Sequence, residues 1–194
     1  MKTAILILAA GRSSRMGKPK QLLKVGAKTL LQMAIETALG ASASAVYCVI
    51  GAQATAIREH IRGYPIHILE NTEYNTGLSS SLKCGVEAVE KGHIRSVLVM
   101  LADQPKITTQ HLKALLRVHE DAATAIVATG YPNGLGVPAV FSKIYFTSLK
   151  GLQGDKGARV MLNSNRDKAI GVPFTDLLDI DTPQDYQNFL ANDD

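Results

Sequence analysis

The chain has 194 residues, of which 46% are hydrophobic and 20% are charged, and its formal net charge at pH 7 is +4. These proportions are typical of a globular domain and exclude a disordered tail, a collagen-like chain and a small scaffold held by disulfides. The two cysteines, Cys48 and Cys84, form no CxxC motif, which favours a reducing, cytoplasmic compartment. The longest apolar run, residues 4–10, is about a third of the roughly 20 residues that a membrane helix needs, so we expect no membrane partner.

Basic residues are concentrated at the start of the chain. The first 35 residues contain seven lysines and arginines and no acidic residue, whereas the remaining chain has 14 basic and 17 acidic residues. A local positive field beside a glycine-containing loop indicates a site for an anion, with a solvated basic surface as the structural alternative. Binding of nucleic acid is not expected, because no aromatic residue that could stack on a base occurs before Tyr47.

Buried strands and amphipathic helices are predicted to alternate along the chain. The first strand, residues 3–9, is a continuous apolar run, as expected of a strand buried on both faces of a parallel sheet. A polar loop over 11–24 follows it, and apolar residues at helical spacing predict a helix over 30–40. This alternation predicts one α/β domain over residues 1–194, with a single doubly wound, mostly parallel sheet and helices on both faces. The remaining strands are predicted over 45–50, 66–69, 96–101, 124–129, 138–141 and 167–172, and the remaining helices over 53–62 and 79–90 and from residues 108 or 109, 158 and 182.

The loop after the first strand has the composition of a phosphate-binding loop. In a doubly wound sheet the ligand lies outside the carboxyl ends of the strands, and the segment LAAGRSSRMGKPK, residues 8–20, occupies such a position. Its glycines allow turns that point backbone N–H groups at an anion, and its basic residues supply charge for a triphosphate. It is not a P-loop, because Gly11 and Gly17 are one residue too far apart and Pro19 stands where a hydroxyl would bind magnesium.

Acidic residues follow two later segments. Asp103 comes directly after the fourth predicted strand, and Asp179 and Asp181 are two residues apart, so in an extended segment both project from one face. Magnesium is usually held by one or two carboxylates together with phosphate oxygens and water, which makes Asp103 a candidate ligand, with a simple turn cap as the structural alternative. Asp185 is predicted to be structural, as the acid of a capping box that begins at Thr182.

Two glycine-containing segments precede predicted helices. Residues 77–81 lead into the third helix, where amides and hydroxyls can contact a polar ligand, although one serine could simply be the N-cap. Residues 154–157 lead into the helix that begins near 158, and a tight surface turn is the alternative interpretation there.

The segment LAAGRSSRMGKPK resembles the LAAGxSxRMGxxK signature of the MobA-like nucleotidyltransferases, and within that group the chain looks most like the molybdenum cofactor cytidylyltransferases. One position on the acceptor side departs from the pattern, because Val137 stands where many relatives have a histidine before the proline. The resemblance covers nearly the whole chain, since four more segments occur in the same order: NTEYNTGLSSSL at 71–82, LADQP at 101–105, GDKGAR at 154–159 and DIDTP at 179–183.

The resemblance implies a magnesium-dependent enzyme that transfers CMP from CTP to the phosphate of the molybdopterin cofactor and releases pyrophosphate. The cytosine dinucleotide would be delivered to a molybdenum hydroxylase of the xanthine dehydrogenase kind. The pair Ala9 and Ala10 favours cytidine, because guanylyl enzymes of this kind tend to have a second glycine there. The alternatives are the use of GTP, transfer to a sugar or alcohol phosphate, and a non-catalytic carrier of nucleotide or cofactor.

The same resemblance assigns roles to individual residues. The catalytic residues would be Arg15, Lys20 and Asp103. Magnesium would be held by Asp103 and Asp181, with Asp179 as the alternative to Asp181. The residues that contact the acceptor would be Gly154, Asp155, Lys156 and Arg159. The residues that contact the nucleotide would be Leu8, Ala9, Ala10, Gly11, Ser13, Arg15, Lys20, Gly77, Ser80, Ser81 and Asp103.

Overall fold

A computed structural model of the chain describes residues 2–13, 16–122 and 125–192. The strands within these ranges are β1 (Thr3–Ala9), β2 (Lys24–Val25), β3 (Lys28–Thr29), β4 (Ala45–Ile50), β5 (His67–Glu70), β6 (Ser96–Leu101), β7 (Ile126–Tyr131), β8 (Gly134–Ser142) and β9 (Ala169–Pro173). Seven of them form one sheet in the order β5-β4-β1-β6-β8-β7-β9, and β2 and β3 form a separate hairpin. Four of the six neighbouring pairs in the large sheet are parallel, and β8 runs antiparallel to both β6 and β7.

Helices cover both faces of the large sheet. Those in the described ranges are α1 (Leu30–Gly40), α2 (Ala54–Ile61), α3 (Leu78–Lys91), α4 (Thr109–Asp121), α5 (Phe146–Lys150), α6 (Ala158–Ser164) and α7 (Pro183–Ala191). The core on one face is formed with α3, α5 and α6, and the core on the other face with α1, α2 and α4. Phe189 of α7 belongs to a smaller cluster with Met16, Leu23 and Ile180. Within the described ranges, no helix is long and apolar enough to cross a membrane.

The central position of β1 explains its continuous apolar sequence. Every residue of β1 is buried, and successive side chains alternate between the two cores, with Leu6 and Leu8 on one face and Ile5 and Ile7 on the other. The strand pairs in parallel with β4 and β6, which satisfies its backbone groups on both sides. The carboxyl ends of β1 and β6 therefore meet at one edge of the sheet, and the loops that leave them start side by side.

The predicted doubly wound, mostly parallel sheet with helices on both faces is confirmed, and most elements lie within two residues of their predicted bounds. Two starts are corrected. The strand predicted from 138 begins at Gly134, because it pairs with β7 up to the turn that joins them. The helix predicted from 53 begins at Ala54, because Gln53 has a left-handed backbone with φ of 60°. The hairpin of β2 and β3 and the five-residue helix α5 were not predicted, and Thr124, the predicted start of β7, lies outside the described residues.

The capping box predicted for the last helix is present. The N–H of Asp185 donates to Thr182 Oγ1 at 3.2 Å, and the N–H of Thr182 donates to Asp185 Oδ2 at 2.8 Å. Pro183 is the first residue of α7, where no N–H is needed. Asp185 therefore has the structural role that the sequence predicts.

Two buried histidines of α4 make stability depend on pH. His119 Nε2 lies 2.8 Å from Ser96 Oγ and His111 Nε2 lies 2.9 Å from Thr129 Oγ1, and burial lowers the pKa of both rings. The unfolded chain binds these protons near pH 6.5, so the free energy of unfolding should fall below about pH 6.5, by up to about 1.4 kcal/mol per pH unit for each ring. Urea unfolding between about pH 5 and 7.5 measures this. A flat profile would contradict the prediction.

Candidate active site

Two cavities lie at the carboxyl edge of the sheet and share a wall. The first has a volume of about 390 Å³ and lies between the ends of β1 and β6, the loop after β1 and the start of α3. The second has a volume of about 750 Å³ and lies between β6, the hairpin of β7 and β8, the start of α6 and the segment before α7. Two substrates bound one in each cavity would therefore meet at the residues that line both, which are Leu8, Leu78, Leu101, Asp103 and Asp155.

Lys20 lies between two carboxylates at this junction. Its Nζ donates a hydrogen bond to Asp103 Oδ2 and another, 3.0 Å long, to Asp181 Oδ1. Burial by itself lowers the pKa of Lys20, but the charges and hydrogen bonds of the two carboxylates outweigh burial and raise the pKa above its ordinary value. Lys20 is therefore a permanent cation at neutral pH, and it joins the loop after β1 to the end of β6 and to the segment before α7.

The loop that carries Lys20 is held in shape by Gln21. The Gln21 side chain is buried, and its Nε2 donates to the carbonyl oxygens of Ala9 at 2.9 Å and Gly11 at 3.0 Å. Ser13 Oγ accepts from the backbone N–H of Lys20 at 3.0 Å and donates to Gln21 Oε1 at 3.3 Å. These contacts close the loop on itself and place the Lys20 side chain at the end of β6.

Backbone pairing brings the two carboxylates together. The N–H of Ile180 donates to the carbonyl oxygen of Asp103 at 3.0 Å, and the Ile180 side chain is fully buried, so Asp181 lies across from Asp103. Asp179 has a different partner, because Gln104 Nε2 donates to Asp179 Oδ1 at 2.9 Å. Burial raises the pKa of Asp179 above its ordinary value, with the Gln104 hydrogen bond acting against burial and the charges of Asp103 and Asp181 adding to it.

Asp103 and Asp181 fit a divalent cation. Both carboxylates accept from the same ammonium group, so oxygens of both lie within bonding distance of one point. Asp103 Oδ1 is also buried with no hydrogen-bond partner among the described residues. Mg²⁺ and Mn²⁺ prefer such oxygen ligands, and two carboxylates leave the other positions for phosphates and water. Within the described ranges no cluster of three or more Asp, Glu, His or Cys could hold a metal, so the fit depends on ligands that a substrate brings.

The start of α3 faces the first cavity. Its N-cap is Gly77, and no side chain caps this helix. Asn71, the residue after β5, donates from its Nδ2 to Ser80 Oγ at 2.9 Å and to Ser81 Oγ at 3.0 Å. These bonds connect the end of β5 to the first turn of α3. The Ser80 hydroxyl in turn donates to the carbonyl oxygen of Gly77 at 2.8 Å, whereas Ser81 lines the cavity.

The structure brings most of the predicted nucleotide contacts to the first cavity. Ser13 and Ser80 are not among its lining residues, and the hydroxyls of both make local hydrogen bonds. Arg15 lies outside the described residues. The predicted residues that line the first cavity are Leu8, Ala9, Ala10, Gly11, Lys20, Gly77, Ser81 and Asp103.

The predicted acceptor contacts divide in the same way. Asp155 and Arg159 line the second cavity, together with both acids of the DxD pair, Asp179 and Asp181. Gly154 and Lys156 are not among the lining residues of either cavity. The carbonyl oxygen of Gly154 accepts from the first turn of α3 instead.

Sequence reasoning did not single out three side chains of this region, Gln21, Tyr74 and Gln104. Tyr74 lines the first cavity, with the guanidinium carbon of Arg12 5.6 Å from its ring centroid. Gln21 and Gln104 each follow directly after a predicted site residue, and this adjacency is the signal that could have found them.

Solved nucleotidyltransferases share this doubly wound sheet over nearly the whole chain, with TM-scores of 0.82 and 0.79, so the chain has their fold. The sequence profile of the MobA-like NTP transferase domain matches residues 5–169. The chain therefore belongs to the MobA-like NTP transferase domain family. The profile ends before Asp181, so the segment that brings this carboxylate to the site lies beyond the matched residues.

Three relatives and one solved protein illustrate the similarity. Purine catabolism protein PucB of Bacillus subtilis is 31% identical over 93% of this chain and 92% of its own. Nicotine blue oxidoreductase of Paenarthrobacter nicotinovorans is 32% identical over 93% and 89%, and molybdenum cofactor cytidylyltransferase of Escherichia coli is 28% identical over 93% and 92%. Rv0371c of Mycobacterium tuberculosis superposes with a TM-score of 0.85 at 30% identity, covering 98% of this chain and 97% of its own. Its complex with manganese superposes with a TM-score of 0.83 at 28% identity, covering 98% and 99%.

Proposed function

We propose that the protein transfers CMP from CTP to the phosphate of the molybdopterin cofactor and releases pyrophosphate, with magnesium as the metal. The observation that carries this proposal is the meeting of Lys20, Asp103 and Asp181 where the two cavities join. Nucleotidyl transfer needs two substrates that meet at one phosphorus atom, with cations placed about the charge that develops there. The junction supplies the meeting point, the cation of Lys20 and two carboxylates for a metal cation.

The reaction forms one bond and breaks one. A phosphate oxygen of the acceptor attacks the α-phosphorus of CTP, the bond from that phosphorus to the oxygen bridging to the β-phosphorus breaks, and pyrophosphate leaves. The acceptor phosphate has a second pKa of roughly 6, so at neutral pH it attacks as an anion and needs no general base. Lys20 would contact the triphosphate and offset the charge of the leaving pyrophosphate. A divalent metal on Asp103 and Asp181 would orient donor and acceptor oxygens and offset their charge.

The hydrogen bonding of Ser81 supports cytidine as the base. Its Oγ accepts from Asn71 Nδ2, and no acceptor for its own hydrogen lies within bonding distance among the described residues, so the hydroxyl can donate into the first cavity. Cytosine presents two acceptors on its pairing edge, O2 and N3, whereas guanine presents N–H donors in the corresponding places. The Ser81 hydroxyl could therefore donate to either acceptor of cytosine, and the pair Ala9 and Ala10 also favours cytidine by the family resemblance.

The acceptor and the metal are supported by the relatives and by the second cavity. The cytidylyltransferase from Escherichia coli aligns over nearly its full length, and Arg159 in the second cavity would bind the acceptor's phosphate. PucB is named for purine catabolism and another relative is named an oxidoreductase, and on that basis we propose delivery of the product to a molybdenum hydroxylase of the xanthine dehydrogenase kind. Manganese, present in one structure of Rv0371c, is the alternative metal.

The test is pyrophosphate release by the purified protein with Mg²⁺ and molybdopterin cofactor, with CTP, GTP, ATP and UTP in separate reactions. We expect release with CTP alone. Release with GTP instead would keep the chemistry and overturn the base assignment. If the folded protein released no pyrophosphate with any of the four nucleotides, the proposed acceptor would be wrong. A second series with sugar phosphates as acceptors would then separate a different transferase from a non-catalytic carrier.

Lys20→Met should tighten Mn²⁺ binding to the nucleotide-free protein about tenfold or more. The ammonium group occupies the place between Asp103 and Asp181 that the cation would take, and a bound triphosphate would give the ammonium group other partners. Electron paramagnetic resonance of free Mn²⁺ measures the affinity. Lys18→Met is the matched control, because it removes the same charge from the same loop while its Nζ lies over the ring of Tyr186. Equal Mn²⁺ affinity in the Lys20 variant and in the wild type would contradict the prediction.

A further inference from the structure

An irregular segment between β9 and α7, residues 174–182, brings a carboxylate into the candidate active site. Two hydrogen bonds attach this segment to the end of β6. The N–H of Ile180 donates to the carbonyl oxygen of Asp103 at 3.0 Å, and Gln104 Nε2 donates to Asp179 Oδ1 at 2.9 Å. The two bonds therefore join the adjacent residues Asp103 and Gln104 to the adjacent residues Asp179 and Ile180. Asp181 is the next residue along the segment.

We propose that Gln104 is a positioning residue, whose bond to Asp179 holds the segment so that Asp181 stays across from Asp103. The inference rests on the proposed function, in which Asp103 and Asp181 hold the metal. The three carboxylates repel one another, and the hydrogen bonds of Lys20 reach Asp103 and Asp181. A neutral amide holds the third carboxylate without adding a positive charge that would compete with the metal.

The surroundings of Gln104 argue against a role in stability alone. The residue is 7% exposed, and its Oε1 is buried with no hydrogen-bond partner among the described residues. An ionised carboxylate only accepts, so the amide nitrogen must face Asp179, and turning the amide over would lose that bond. A buried acceptor without a donor lowers stability. The unpaired Oε1 therefore lowers stability, while the amide nitrogen of the same side chain holds Asp179.

The test compares three variants of the full chain. Gln104→Met removes both the bond and the unpaired acceptor, Asp179→Leu removes the bond, and Asp179→Asn keeps an oxygen that accepts from Gln104. In the metal-free protein, hydrogen exchange at the Ile180 amide should become about tenfold faster in the first two variants and stay unchanged in the third. The thermal midpoint of Gln104→Met should equal or exceed that of the wild type, which a purely stabilising side chain would not allow.

The second readout is the affinity for Mn²⁺ in the presence of a CTP analogue with a methylene group between the α- and β-phosphorus atoms. The dissociation constant should rise about tenfold in Gln104→Met, and it should rise more in Asp179→Leu than in Asp179→Asn, because both variants remove the charge of Asp179 and only the asparagine keeps the bond to Gln104. Unchanged exchange at Ile180 in Gln104→Met, or a loss of Mn²⁺ in Asp179→Asn equal to that in Asp179→Leu, would overturn the proposal. If the wild type bound no Mn²⁺ with the analogue, the proposed function would fail, and the exchange rates would still decide whether Gln104 holds the segment.

Discussion

Replacing Asp103 by asparagine is expected to lower the rate of pyrophosphate release about 1,000-fold or more at saturating substrates. Asparagine keeps the shape of the side chain but removes the charge that attracts a metal and that pairs with Lys20. Asp103 also lines both cavities, so the loss falls where the reacting groups meet. The fold should survive, because Ile180 bonds to the backbone carbonyl of Asp103 and not to its side chain.

The matched control is Asp167→Asn. This exposed carboxylate precedes β9, at the opposite edge of the sheet from the site, so its loss should leave the rate unchanged. Calorimetry with CTP adds a second comparison, because the Asp103 variant should still bind nucleotide through the loop after β1. Turnover at the wild-type rate in the Asp103 variant would contradict the metal assignment. An equal loss of rate in the Asp103 and Asp167 variants would mean that the rate depends on the net charge of the protein and not on the carboxylate of Asp103.

The fold could be predicted because its main signals are local in the sequence. The apolar run of β1 and the strands over 45–50 and 96–101 have the predicted bounds, since each is buried on both faces and bounded by polar residues. The position of β8 could not be predicted in this way. It runs antiparallel to β6, and pairing between two strands that are distant in the chain leaves no mark on the periodicity of either. The two-residue strands of the small hairpin are too short to show a period at all.

The candidate site shows the same division between local and distant information. Spacing alone places Asp179 and Asp181 on one face and cannot separate them, and the choice of Asp181 rested on the family resemblance. The structure separates them through partners far away in the chain, Lys20 for Asp181 and Gln104 for Asp179. The hydroxyl of Ser13 is used within its own loop, a detail that depends on the buried Gln21 and that no sequence pattern indicates.

Gly77→Ala should lower the free energy of unfolding by about 3 kcal/mol or more. Gly77 has φ of 112° and ψ of 175°, a combination that is essentially restricted to glycine. A Cβ there would lie 2.3 Å from the carbonyl carbon and oxygen of Gly154 and 2.8 Å from the nitrogen of Asp155. These are backbone atoms that cannot rotate away, so the start of α3 and the turn before α6 would have to separate.

The separation of these two loops should also weaken the binding of both substrates. The N–H of Ser79 donates to the carbonyl oxygen of Gly154 at 3.1 Å, and Asp155 beside it lines both cavities, so the two loops form part of the shared wall. We expect the KM for CTP and the KM for the acceptor to rise together. A change confined to the first cavity would raise only the KM for CTP. Gly26→Ala is the control, since Gly26 has φ of 58° with no atom within 4 Å of an added Cβ and should lose only about 1 kcal/mol. Urea unfolding of the wild type and the two variants measures these free energies of unfolding. A Gly77 variant as stable as the Gly26 variant would mean that α3 does not hold the turn before α6.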